Sequence, residues 1–177
     1  INPAYRTHEV EYVLRQSGCR ALVAAETFKT SNYRAMIDEV RGVLPDLQHV
    51  LYIDSVEWAA WLDGPQAPDA ELRERMASLS FDDPINIQYT SGTTGRPKGA
   101  IHTVEGMRAN MRAAIDAQGL SSQTKALAVL PMFHVGGLCI QVLPTLAAGG
   151  RVLLHERFDP LAWLRDVAQW RPTTSLL

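Results

Sequence analysis

Tyr89-Thr90-Ser91-Gly92-Thr93-Thr94-Gly95-Arg96-Pro97-Lys98-Gly99 is the stretch on which the reading of this chain turns. It gathers the hydroxyls of Thr90, Ser91, Thr93 and Thr94, three glycines and the ammonium of Lys98. Glycine admits φ > 0 and lets the backbone approach a ligand closely. Successive N–H groups in such a turn form a nest for an anion. Hydroxyls add neutral donors, and a lysine adds a point charge suited to phosphate. The combination predicts a polyphosphate-binding loop. A flexible linker is the plain alternative for Ser/Thr/Gly-rich sequence. Here, however, the loop is flanked by Ile85-Asn86-Ile87-Gln88-Tyr89, which alternates as a half-buried strand, and by Gly99-Ala100-Ile101-His102, its expected partner. Function concentrates on loops held by rigid elements, so that setting favours a working loop. The Walker A pattern, G-x-x-x-x-G-K-[ST], fails in order, because Lys98 precedes Gly99 and Ala100 follows.

Outward from the loop, helical and strand patterns alternate. Thr103 is placed to cap a helix with Val104, Met107, Met111, Ala114 and Ile115 on one face. A buried strand follows over residues 126–130, then an apolar helix over 136–147 containing Pro144, then the strand Arg151-Val152-Leu153-Leu154. Asp159 and Pro160 suit the cap and first turn of a last helix, with Leu161, Leu164, Val167 and Ala168 expected inward. The chain then reads as strand up to Leu177.

Upstream, Thr7 opens a helix with Val10, Val13 and Leu14 inward and Gly18 as its stop. Ala21–Ala24 and residues 49–53 read as strands, separated by a helix that Ser31 or Asn32 opens and Pro45 ends. Residues 62–84 read as a surface connection with a short polar helix over 69–78. This alternation predicts an α/β fold, mostly parallel sheets flanked by helices, with the Ser/Thr/Gly-rich loop between two strands.

Composition narrows the function. Of 177 residues, 46% are hydrophobic and 20% charged, as in an ordinary globular chain. A net charge of −2 gives no basic excess for nucleic acid or an anionic membrane. Apolar runs break well before membrane-spanning length. Cys19 and Cys139 make no disulfide framework or zinc spacing, and they predict a reducing, cytoplasmic compartment. Trp58 and Trp61 read as a packed helix face, and Asp38-Glu39 and Asp82-Asp83 as solvated pairs.

Residues 87–99 resemble the AMP-binding signature of the adenylate-forming superfamily, which includes acyl-CoA synthetases, luciferases and peptide-synthetase adenylation domains. Asn2-Pro3-Ala4-Tyr5 with Ser17-Gly18-Cys19, and Leu130-Pro131-Met132-Phe133-His134-Val135-Gly136-Gly137, are similar to further segments of fatty acyl-CoA synthetases. One departure is Val104, where many members follow the threonine with His.

The resemblance implies that Thr90, Ser91, Gly92, Thr93, Thr94, Gly95 and Lys98 hold the phosphates of ATP. It gives Thr90 a contact to Mg²⁺ through the nucleotide, and sets His134 against the reacting carboxylate. From its position alone, His134 reads more readily as a packed structural imidazole. Also implied is a two-step reaction: acyl-AMP formation from a carboxylic acid, probed best with fatty acids, then transfer to CoA. The family's adenine, ribose and C-terminal catalytic motifs are not found up to Leu177. With Ile1 at the start, residues 1–177 are expected to be a partial N-terminal AMP-binding domain, inactive alone. Loading of a carrier-protein thiol, and a non-catalytic nucleotide-binding segment, stay open. Acid identity and oligomeric state are not legible.

Overall fold

The computed structural model describes residues 1–90 and 97–177. They divide into two compact units, one holding Ile1–Leu79 and the other Ser80–Thr90 with Lys98–Leu177. The division falls inside the 62–84 connection, which the sequence reads as a link within one domain.

In the first unit, α1 (Thr7–Ser17) starts where the Glu9 carboxylate accepts from the Arg6 N–H at 2.9 Å, and stops at Gly18 with φ of 61°. Glycine is suited to that left-handed stop. Thr7 is therefore the first helical residue, not the cap. Val10, Val13 and Leu14 share one buried face, as i, i+3, i+4 spacing requires. β1 (Ala21–Ala24) follows, then the short antiparallel pair β2 (Thr27–Phe28) and β3 (Ser31–Asn32). Asn32 caps α2 (Tyr33–Val40) by accepting from the Ala35 N–H at 2.9 Å. β4 (His49–Tyr52) runs parallel to β1. Ser55 caps α3 (Val56–Leu62), where Trp58 and Trp61 stack on one another at 5.7 Å rather than forming a buried face. α4 (Asp69–Ala77) buries none of its residues.

In the second unit, β5 (Pro84–Thr90) and β6 (Lys98–Thr103) form an antiparallel hairpin. Thr103 Oγ1 accepts from the Gly106 N–H at 3.1 Å and so caps α5 (Val104–Gln118), which ends at the left-handed Gly119. β7 (Lys125–Ala128) is the centre of a three-stranded parallel sheet; α6 (Leu143–Ala147) precedes β8 (Arg151–Leu154), and α7 (Pro160–Trp170) precedes β9 (Thr174–Leu176). The sheet order is β8-β7-β9. Helical crossovers are what parallel neighbours need.

The helix expected over 136–147 is in two parts. Gly136–Val142 is π-helical and hands over to α6, with Pro144 in the first turn of α6. Proline has no N–H to donate there and is tolerated at a helix start. Side-chain amides from α5 satisfy π-segment carbonyls: Asn110 donates to Cys139 O at 2.8 Å and Gln118 to Ile140 O at 3.2 Å.

α7 turns differently from expectation. Leu161 and Leu164 are 73% and 56% exposed, and Ala168 is exposed. Val167 is half-buried as expected, but the residues that share its face are Trp163, Asp166 and Trp170. Two polar ties select it: Trp163 Nε1 donates to Ser175 Oγ at 3.3 Å, and Asp166 meets His155 Nε2 at 2.7 Å. Among the described residues, no helix is long and apolar enough to cross a membrane.

Candidate active site

The hairpin brings both described ends of the Ser/Thr/Gly-rich stretch together. Thr90 and Lys98 are direct register partners at its loop end, and both are exposed. Ser91, Gly92, Thr93, Thr94 and Gly95 lie outside the described residues. Side chains alternate along a strand, so Gln88 and Thr90 share a face with Lys98 and Ala100. Gly99 lies opposite Tyr89 on the other face. A Cβ there would come within 2.9 Å of Ile87 Cγ2 and 3.3 Å of the Tyr89 ring. The glycine ending the motif is therefore also a packing requirement of the hairpin.

The second predicted segment, residues 130–137, is the turn from β7 into the π-helical stretch. His134 N–H donates to Pro131 O at 3.1 Å, and His134 O accepts from the Leu138 N–H at 3.1 Å. The Gly136 N–H donates to His134 Nδ1, also at 3.1 Å. With Nδ1 accepting, the neutral imidazole carries its proton on Nε2. The ring is exposed. It is thus held by its backbone and one ring nitrogen, leaving Nε2–H as a donor. Gly137 makes the turn possible, since a Cβ there would lie 2.5 Å from Pro131 O and 2.8 Å from Leu130 O.

A hydrogen bond joins the two segments. Gln88 Nε2 donates to Phe133 O at 2.5 Å. Gln88 lies two residues before Thr90, and Phe133 immediately precedes His134. Reading the sequence for chemistry passed over Gln88. The available signal was its place between two apolar residues in an alternating strand, which puts it on the same face as Thr90.

The other histidines are accounted for locally. His155 pairs with Asp166, His102 Nδ1 lies 3.3 Å from Met107 Sδ, and His8 and His49 are exposed. Cys139 is buried, Cys19 half-buried, and both are free. Burial pushes both thiols up. Neither is thereby prepared as a nucleophile.

The sequence matches the AMP-binding enzyme family over residues 1–177. It is 36% identical to the indoleacetate–CoA ligase of Aromatoleum aromaticum over 85% of this chain and 29% of that protein. Against the mitochondrial medium-chain acyl-CoA ligase ACSF2 of Mus musculus, identity is 33% over 88% of this chain and 29% of that protein. The chain thus spans under a third of the length of either ligase. ATP-bound MatB from Rhodopseudomonas palustris superposes with a TM-score of 0.73 at 25% identity, covering 99% of this chain and 33% of that one. A family match along the whole chain, with a fold shared at full coverage, settles its kinship: this chain belongs to the AMP-binding enzyme family.

Proposed function

We propose that this chain is the phosphate-loop portion of the N-terminal domain of a longer, AMP-forming carboxylate–CoA ligase. The carrying observation is the pairing of Thr90 with Lys98 at the hairpin mouth, on a strand tied through Gln88 to the His134 turn. Such a ligase needs a cradle for polyphosphate next to a group that orients a carboxylate, and these elements supply candidates for both. The related CoA ligases point to CoA as acceptor rather than a carrier protein. A fatty acid is the first substrate class to test, with aromatic acids second. The two free thiols support a reducing, cytoplasmic setting.

In the reaction, a carboxylate oxygen attacks the α-phosphorus of ATP and pyrophosphate leaves, giving acyl-AMP. The thiolate of CoA then attacks the acyl carbonyl and AMP departs. Lys98 would offset charge on the phosphates. Ser91, Gly92, Thr93, Thr94 and Gly95 would complete the cradle. Thr90 offers a neutral oxygen, the hard donor that Mg²⁺ prefers, and would reach the ion alongside the nucleotide's phosphates. Bound there, Mg²⁺ would neutralise phosphate charge. His134, with Nε2–H outward, would donate to a carboxylate oxygen and fix its line of attack.

The test is carboxylate-dependent exchange of pyrophosphate into ATP by the full-length protein that carries this chain. Exchange that requires an acid, followed by acyl-CoA formation when CoA is added, is expected. Acid-independent release of ADP and phosphate would overturn the reading. The chain alone, given ATP, Mg²⁺, a fatty acid and CoA, should make no acyl-CoA.

A further inference from the structure

We infer that Gln88 is a positioning residue that sets where His134 stands relative to the phosphate-loop root, and so governs use of the acid rather than of ATP. The inference rests on the adenylation reading above.

The geometry is specific. The peptide joining Phe133 to His134 is held at both polar groups: its carbonyl accepts from Gln88 Nε2 at 2.5 Å, and its N–H donates to Pro131 O at 3.1 Å. The Gly136 N–H holds the imidazole through Nδ1 at 3.1 Å. Two of these three bonds are internal to the turn. Of these three, the bond from Gln88 comes from another element, and it ties the turn to the hairpin. Gln88 shares a strand face with Thr90 and Lys98. A strand is stiff over two residues, so the Gln88 carboxamide acts as a spacer between hairpin mouth and imidazole. A carbonyl can only accept, so the Gln88 end must be the NH₂ group.

Removing the donor while keeping the volume should release the turn without unfolding it. Misplacing a reacting group by about 1 Å can cost on the order of 100-fold in rate. For Gln88→Met in the full-length enzyme, kcat for acid-dependent adenylation should fall by about tenfold or more, with a raised KM for the acid. The KM for ATP should change less than about twofold, because the hairpin itself is intact. A merely structural role would instead lower thermal stability and affect both substrates together.

The second variant is Gln88→Glu. As a carboxylate it cannot donate to Phe133 O, but the protonated acid can. Its activity relative to wild type should therefore rise as pH falls towards the carboxyl's own titration range.

The inference is overturned if Gln88→Met keeps wild-type constants or affects acid and ATP equally, or if the Gln88→Glu ratio is flat with pH. Absence of acid-dependent exchange in the wild-type enzyme would instead overturn the adenylation reading on which it rests.

Discussion

In β7, Ala126, Leu127 and Ala128 are wholly buried, whereas in the hairpin Ile85 and Ile101 are 58% and 64% exposed. Both regions are short and β-rich, and their difference is one of setting. β7 has a parallel neighbour on each edge. It also packs against the π-helical segment that follows it. In the hairpin, β5 and β6 pair with each other, and the half-buried side of β5 carries Asn86 and Gln88. The sheet is thus the part that resists unfolding, and the hairpin is the part that aims side chains. Apolar residues show what can be buried, not which face a given fold turns inward.

The largest effect should come from Leu127→Ala. Truncating a fully buried leucine costs about 2–5 kcal/mol, the lost transfer energy plus the cavity left behind. Urea titration can be followed in a Trp58→Phe/Trp61→Phe background, so that Trp163 and Trp170 report on the second unit. A loss under about 1 kcal/mol, typical of less critical sites, would show that β7 is not the core of that unit.

Lys98→Ala should reverse the pattern, with unchanged melting and impaired adenylation in the full-length enzyme. A charge-assisted contact to phosphate is worth about 1.5–3 kcal/mol, or roughly 10- to 150-fold in kcat/KM. Equal adenylation by the variant and wild type would remove Lys98 from the phosphate site and leave the hairpin without its proposed task.

Gly137→Ala probes a turn that touches both regions, since it follows β7 and is tied to the hairpin through Gln88. The added methyl would meet Pro131 O at 2.5 Å, a backbone atom that cannot rotate away. Overpacking of this kind costs about 1–3 kcal/mol. A midpoint unchanged in the same urea assay would mean that the turn yields freely, and that His134 is less firmly held than its bonds indicate.

Legibility followed local chemistry. The Thr103 and Asp159 caps bond as their residue types predict, and so does the stop at Gly18. The strands on either side of the Ser/Thr/Gly-rich stretch were readable because apolar and polar residues alternate along them. What was not readable depends on partners distant in sequence. The inward face of α7 is chosen by His155 and Ser175, outside the helix, so counting leucines pointed to the wrong side. Gln88 gains its meaning from Phe133, 45 residues away. The π-helical register of Gly136–Val142 likewise has carbonyls that find their donors on α5.

The smallest expected effect belongs to Ile101→Thr. By composition, Ile101 is the kind of residue that belongs in a core, and its strand partner Ile87 is also exposed. Threonine keeps the β-branch that suits a strand, so backbone preference changes little. What it removes is apolar surface that folding has left in contact with water, and which therefore contributes little to stability. The midpoint of the second unit should move by no more than about 0.5 kcal/mol, the ordinary range for surface substitutions. Acid-dependent exchange in the full-length enzyme should be equally unaffected, since Ile101 lies on the face of the hairpin opposite Gln88, Thr90 and Lys98. A loss approaching that of Leu127→Ala in the isolated chain would show that the isoleucine face is buried in solution, and the contrast between a stabilising sheet and an aiming hairpin would fail. A loss of exchange with an unchanged midpoint would place the reacting groups on the isoleucine face instead, and would overturn the assignment of Gln88, Thr90 and Lys98 to the working side.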